Sequence, residues 1–180
     1  MKNYWWGILT GLFVMCFIPL LILVSGAINM GATTQPTSLE KNVAAMAIKT
    51  SMYWRKPEIE NPVADKVDAR QVGLEHYRSM CVRCHGGPGI QPKEFAKGLN
   101  PPAPMLEQAG EEFSDAELFW ITKHGIRMTG MPAFGATHGD TDIWKIVEAV
   151  KGLSNLTAEE KEMLKNAEDD GHDHHDEHGH

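Results

Sequence analysis

The sequence predicts an all-α protein whose first helix spans a membrane, and three observations carry that prediction. No charged side chain occurs from Asn3 to Leu39, and Trp6 to Ile28 is predominantly apolar. Beyond that stretch, apolar residues recur at helical spacing in several segments. Two of the later segments open with helix-capping sequences, Ser114-Asp115-Ala116-Glu117 and Thr157-Ala158-Glu159-Glu160.

The apolar stretch is long enough to cross roughly 30 Å of hydrocarbon, which takes about 20 residues. Tyr4, Trp5 and Trp6 stand where an interfacial aromatic belt belongs, and Lys2 is the one charged side chain before the span. That pattern favours an N-terminus inside and the rest of the chain outside. The rival is a cleaved signal peptide with Ser25-Gly26-Ala27 as its small-residue cleavage site. Such peptides have apolar regions of about 7–15 residues, and this one is longer. Cys16 is a poor lipoprotein cysteine, because Met15 precedes it where a small residue is wanted. Residues 1–30 are therefore read as a retained anchor, and either reading exports the remainder of the chain.

Residues 31–66 read as an extracytoplasmic connector. Ser38 to Tyr53 has helical composition, with Leu39, Val43, Met46 and Ala47 roughly on one face, and Pro57 and Pro62 stop it. Such a helix can lie on the membrane, pack on the next domain, contact a larger complex, or serve as a solvated spacer.

Asp68 to Met80 reads as the next helix, with Val72, Tyr77 and Met80 at roughly helical spacing. Gly73, Tyr77 and Cys81 lie four residues apart and share a face, where a glycine admits another helix closely. The helix runs into Cys81-Val82-Arg83-Cys84-His85, the C-x-x-C-H pattern of c-type haem attachment. Two thiols three positions apart on a helical turn can each add to one porphyrin vinyl group, and His85 then presents its imidazole to the iron. A redox dithiol usually comes with a βαβ pattern, and a zinc site wants a second Cys/His pair. Export of the domain also favours haem. Gly86-Gly87-Pro88-Gly89 reads as a loop.

Further on, Leu118, Phe119, Ile121 and Ile126 offer the buried face of the helix opened by Ser114. It leads to Gly130-Met131-Pro132-Ala133-Phe134-Gly135. Ile143, Trp144, Val147, Val150 and Leu153 make a last amphipathic stripe, which Asp140 or Thr141 is placed to cap. With the G-x-x-x-Y-x-x-x-C-x-x-C-H start, the Met-Pro loop and this C-terminal helix, residues 67–154 resemble a class I monohaem cytochrome c.

The second axial ligand must come from the Met-Pro loop or a remaining histidine. The resemblance implies Met131, since in that family the ligand is the methionine before such a proline. A thioether favours ferrous iron and raises the reduction potential relative to bis-histidine ligation. Met128 is the rival, and packing against the porphyrin edge serves it equally well. The resemblance also implies a proline loop whose carbonyl accepts from the free ring nitrogen of His85. Within Asn100-Pro101-Pro102-Ala103-Pro104-Met105-Leu106 the best match is Pro104, with Pro101 and Pro102 as alternatives. His76, His124 and His138 read as surface or capping histidines, and Trp120 and Arg127 are left unplaced around the ring.

Charge divides the chain unevenly: residues 1–66 carry +2, residues 67–154 carry −2 and residues 155–180 carry −7. No basic patch suggests nucleic acid, and no small-molecule substrate is expected. Residues 155–180 form an acidic tail holding His172, His174, His175, His178 and His180. Imidazoles alternating with carboxylates there can bind copper, zinc or nickel as a secondary site, or simply buffer charge.

The expectation is a membrane-anchored carrier of single electrons with one covalent haem c, its iron held by His85 and Met131. The haem domain lies on the periplasmic or extracytoplasmic side of the cytoplasmic membrane, exchanging electrons with respiratory partners. With both axial positions filled no site is open to substrate, which argues for a carrier and not an enzyme. The alternatives are a haem subunit of a larger respiratory complex and, should the methionine not bind, a five-coordinate haem sensor or enzyme.

Overall fold

The computed structural model describes residues 2–58, 60–64 and 66–165, and it divides into two compact units, Met1–Thr34 and Gln35 onward. The described residues are helices joined by turns, with one isolated bridge between Gly87 and Ile90 and no strand.

In the first unit, α1 runs Lys2–Val24. Its apolar part, Tyr4–Val24, is 21 residues long, and none of it is buried within the protein. At 1.5 Å per residue it measures about 31 Å, so it is long and apolar enough to cross a membrane. The Thr10 hydroxyl donates back to the Trp6 carbonyl at 2.8 Å, so the one polar side chain in mid-span is satisfied within the helix.

The second unit begins with α2 (Ser38–Arg55). The Glu40 backbone N–H donates to the Thr37 hydroxyl, and the Thr37 N–H donates to the Glu40 carboxylate at 2.6 Å. Met52, only 2% exposed, turns one face of α2 into the fold against α6 (Asp115–His124), and Lys56 pairs with Glu117 at 3.4 Å. Asn61 continues the attachment, donating to Glu148 at 2.6 Å and to Asp115 at 3.2 Å. Lys151 sits 3.0 Å from Asp115 and 3.6 Å from Glu148, so the buried Glu148 carboxylate is compensated. The connector helix is thus packed on the domain.

The core is the crossing of α3 (Val67–His76) with α7 (Asp140–Lys151). A Cβ at Gly73 would stand 1.9 Å from the Lys145 carbonyl oxygen, so the two backbones touch where the glycine is. Around that contact Leu74, Ile143, Trp144, Ile146, Val147 and Leu153 are almost completely buried, and Phe119 stacks on Trp144 with centroids 4.1 Å apart. The short α8 (Ala158–Lys165) is tied back to α3 by Arg70, which reaches Glu160 at 3.0 and 3.1 Å and also donates to the Gly152 and Asn155 carbonyls. This part of the tail is ordered by a fork of hydrogen bonds.

Three local expectations differ from what is observed. The helix expected over Asp68–Met80 ends at His76 and passes into a π-helical turn, Tyr77–Cys81, before α4 (Val82–His85). Period-3.6 reading does not register such an inserted residue, although these turns are frequent at functional sites. The helix from Ser114 stops at His124 because Gly125 takes a left-handed φ of 62°, which leaves Ile126 beyond it. Neither Asp140 nor Thr141 caps α7. Gly139 holds the cap position, and Asp140 sits in the first turn paired with Lys123 at 2.6 Å.

Candidate haem site

The π turn and α4 set Cys81, Cys84 and His85 on one continuous helical run behind the core helix. Neither cysteine is in a disulfide. Burial pushes the Cys81 thiol up to about 12, away from the lowered values of reactive redox dithiols. Tyr77 closes the run: its buried hydroxyl donates to the Gly86 carbonyl at 2.8 Å, and burial pushes its phenol well up. Helical spacing alone marks Tyr77 as an apolar cover and gives no sign of this hydrogen bond.

His85 is 8% exposed, and its Nδ1 donates to the Pro104 carbonyl at 2.7 Å. A carbonyl only accepts, so the ring proton is on Nδ1 and Nε2 keeps its lone pair. Burial lowers the imidazole pKa, with the bond to Pro104 partly opposing it. The ring is therefore neutral near pH 7, as a metal ligand must be.

Met131 lies half-buried in the loop after α6. Three contacts fix its backbone. A Cβ on Gly125 would stand 2.7 Å from the carbonyl oxygens of both Met131 and Pro132, so the returning chain lies directly on the end of α6. The Thr129 hydroxyl donates to the Ile126 carbonyl at 2.7 Å and accepts from the Met131 N–H at 3.1 Å. The Ile126 N–H donates to the Met131 carbonyl at 3.3 Å. Thr129 therefore braces this loop, which the sequence does not flag, since only sulfur and imidazole donors stand out there as ligands. Met128 is 79% exposed with a φ of 62°.

The segment 92–105 brings the two halves together. The Lys93 N–H donates to the Arg83 carbonyl at 2.9 Å, Pro92 and Met105 close over Gly86, and Pro104 meets His85. From the same segment, Leu99 packs against Gly130 beside Met131. Between α3 and the end of α8, the large apolar side chains left exposed among the described residues are Val67, Phe95, Met105 and Met128. Three of the four sit on this segment and the methionine loop, and the Arg83 guanidinium lies over the Phe95 ring, 5.6 Å from its centroid. The residues present thus fit a haem.

The remaining histidines lie elsewhere. His124 is exposed at the end of α6 with its ring centroid 5.3 Å from Trp120, and Arg127 is exposed. His76 and His138 meet edge to face at 5.3 Å, and His138 Nδ1 is bonded to the Thr137 hydroxyl. Among the described residues no cluster of three His, Cys, Asp or Glu side chains is arranged to hold a metal ion. His172, His174, His175, His178 and His180 lie outside the described residues.

An oriented neutral histidine follows two thiols here, beside loops with bare apolar side chains, and this region carries a cytochrome c domain. More particularly, residues 68–148 match the family model for cytochrome C oxidase, cbb3-type, subunit III. No curated protein and no solved structure matches the chain. The domain implies a covalently bound haem c and a role as an electron carrier or electron-carrying subunit, and the single N-terminal apolar helix fits a membrane anchor.

Proposed function

We propose that the protein is a membrane-anchored carrier of single electrons, its haem attached through Cys81 and Cys84 and ligated by His85 and Met131. Bound haem supplies reversible one-electron exchange between ferrous and ferric iron. The chain's own residues do the rest. Pro104 fixes the tautomer and angle of His85, Thr129 and Gly125 fix the backbone of Met131, and Tyr77 holds the turn between the cysteines and Gly86. The observation that carries the reading is the Nδ1 bond from His85 to Pro104, made by the same segment that reaches Gly130. Two protein ligands leave no coordination position for substrate, so the activity proposed is outer-sphere transfer and not catalysis.

The haem domain is proposed to face the periplasmic or extracytoplasmic side, with redox proteins of the respiratory chain as donor and acceptor. A second reading, a haem subunit of a respiratory complex, is favoured by the match to a family described as an oxidase subunit. Ligation is tested by the sulfur-to-iron charge-transfer band of the ferric protein. Met131→Ala should abolish that band and lower the midpoint potential. Loss of the band in Met128→Ala, with Met131→Ala unaffected, would reverse the assignment.

A further inference from the structure

Helix α2 is apolar on two faces, and the domain uses only one of them. Met52 and the half-buried Ile48, one turn apart, turn toward α6. Leu39, Val43, Met46, Thr50 and Tyr53 succeed one another at steps of four and three residues, which places them on a common face. Leu39 is 72% exposed, Met46 64% and Trp54, beside Tyr53, 75%. Solvent-facing helices of soluble domains do not ordinarily carry such a run.

Three features of the chain indicate what covers it. First, α2 starts at Ser38 and α1 ends at Val24, so residues 25–37 tether it to the span with a reach of at most about 45 Å. Second, the exposed Lys49 flanks that face, where a long side chain can carry its ammonium to the headgroup level. Third, Tyr53 and Trp54 close the apolar face at its C-terminal end, beside Lys49, and such aromatic rings favour the headgroup level. The neighbouring acids are Glu58, Glu112 and Glu117, of which Glu117 is held by Ser114 and Lys56.

We infer that α2 lies in the membrane–water interface, its Leu39–Val43–Met46–Tyr53 face sunk in the lipid surface. The haem domain packed on its other face is thereby held at that surface instead of swinging on a free tether. Interfacial helices of this kind bury their apolar face about 5–10 Å into the headgroup boundary. The inference rests on the reading of α1 as a retained anchor.

The test uses the full-length haem protein, reduced, in vesicles of phosphatidylcholine and phosphatidylglycerol. A nitroxide is placed in turn at Met46→Cys, Tyr53→Cys, Lys97→Cys and Leu12→Cys in a Cys16→Ser background, and collision with oxygen is compared with collision with a water-soluble nickel chelate. The expected result is an oxygen-to-nickel ratio at Met46 and Tyr53 several-fold above that at Lys97 and approaching that at Leu12. Wet labels at Met46 and Tyr53 with a lipid-embedded Leu12 would overturn the inference and leave the anchor standing. Labels shielded from both reagents would overturn it in favour of a second copy or a protein partner. A wet Leu12 would overturn the anchor reading and the inference together.

Discussion

Replacing Gly73 by alanine attacks the contact on which the haem helix rests. The added Cβ would stand 1.9 Å from the Lys145 carbonyl oxygen, 2.6 Å from its carbon and 3.1 Å from the Ala149 Cβ. The nearest of these is backbone, so no rotamer change relieves it. Ordinary contact begins near 3.4 Å, so α3 and α7 must part by roughly 1.5 Å in an interior packed without slack. Overpacking of this kind costs about 3 kcal/mol at the upper end of its usual range. Alanine's better helix propensity returns about 1 kcal/mol, which leaves a net loss of about 2 kcal/mol. At roughly 4 °C per kcal/mol for a domain of this size, the melting temperature should fall by about 8 °C. Thermal unfolding of the detergent-solubilised haem protein, followed by helical circular dichroism, measures it. A melting temperature within about 2 °C of wild type would refute the argument that backbone approach at Gly73 sets this crossing.

Three further outcomes are expected. Thr129→Val removes the hydroxyl that bridges Ile126 and Met131, at about 1 kcal/mol; added imidazole should then bind the ferric protein roughly fivefold tighter, and unchanged affinity would detach Thr129 from the ligand loop. Tyr77→Phe strands the Gly86 carbonyl at about 1–3 kcal/mol, so the denaturation midpoint should drop with no change in slope. The Glu117 carboxyl is held below its ordinary value, chiefly by the Ser114 backbone N–H. Its contribution is therefore complete above the unfolded value near 4.5 and lost as pH falls through the lower folded value. Glu117→Gln should flatten that part of the acid limb in a stability–pH series, and an unaltered limb would contradict the assignment.

How much of this could be read from the chain depends on the range of the interaction. The capping sequence at Ser114 and the stripe from Ile143 to Leu153 are local patterns, and each lies where its spacing placed it. Gly73 was legible as a place of close approach, although the partner it touches is 72 positions along, at Lys145. The π turn was not legible, because one inserted residue leaves no compositional mark. Thr129 was hidden for another reason: its role is to join two backbone groups of its own loop, which depends on how that loop folds back on Gly125. The attachment of the connector through Asn61, Glu148 and Asp115 spans separations of 87 and 54 residues, far beyond any periodicity.

Two protein side chains are proposed to fill both axial positions of a covalently held haem. The optical spectrum of the dithionite-reduced full-length protein, recorded before and after saturation with carbon monoxide, tests it most directly. A six-coordinate low-spin ferrous spectrum that carbon monoxide leaves unchanged is expected if His85 and Met131 both hold the iron. A prompt, complete shift of the Soret band on adding the gas would show an open coordination site and contradict the electron-carrier reading.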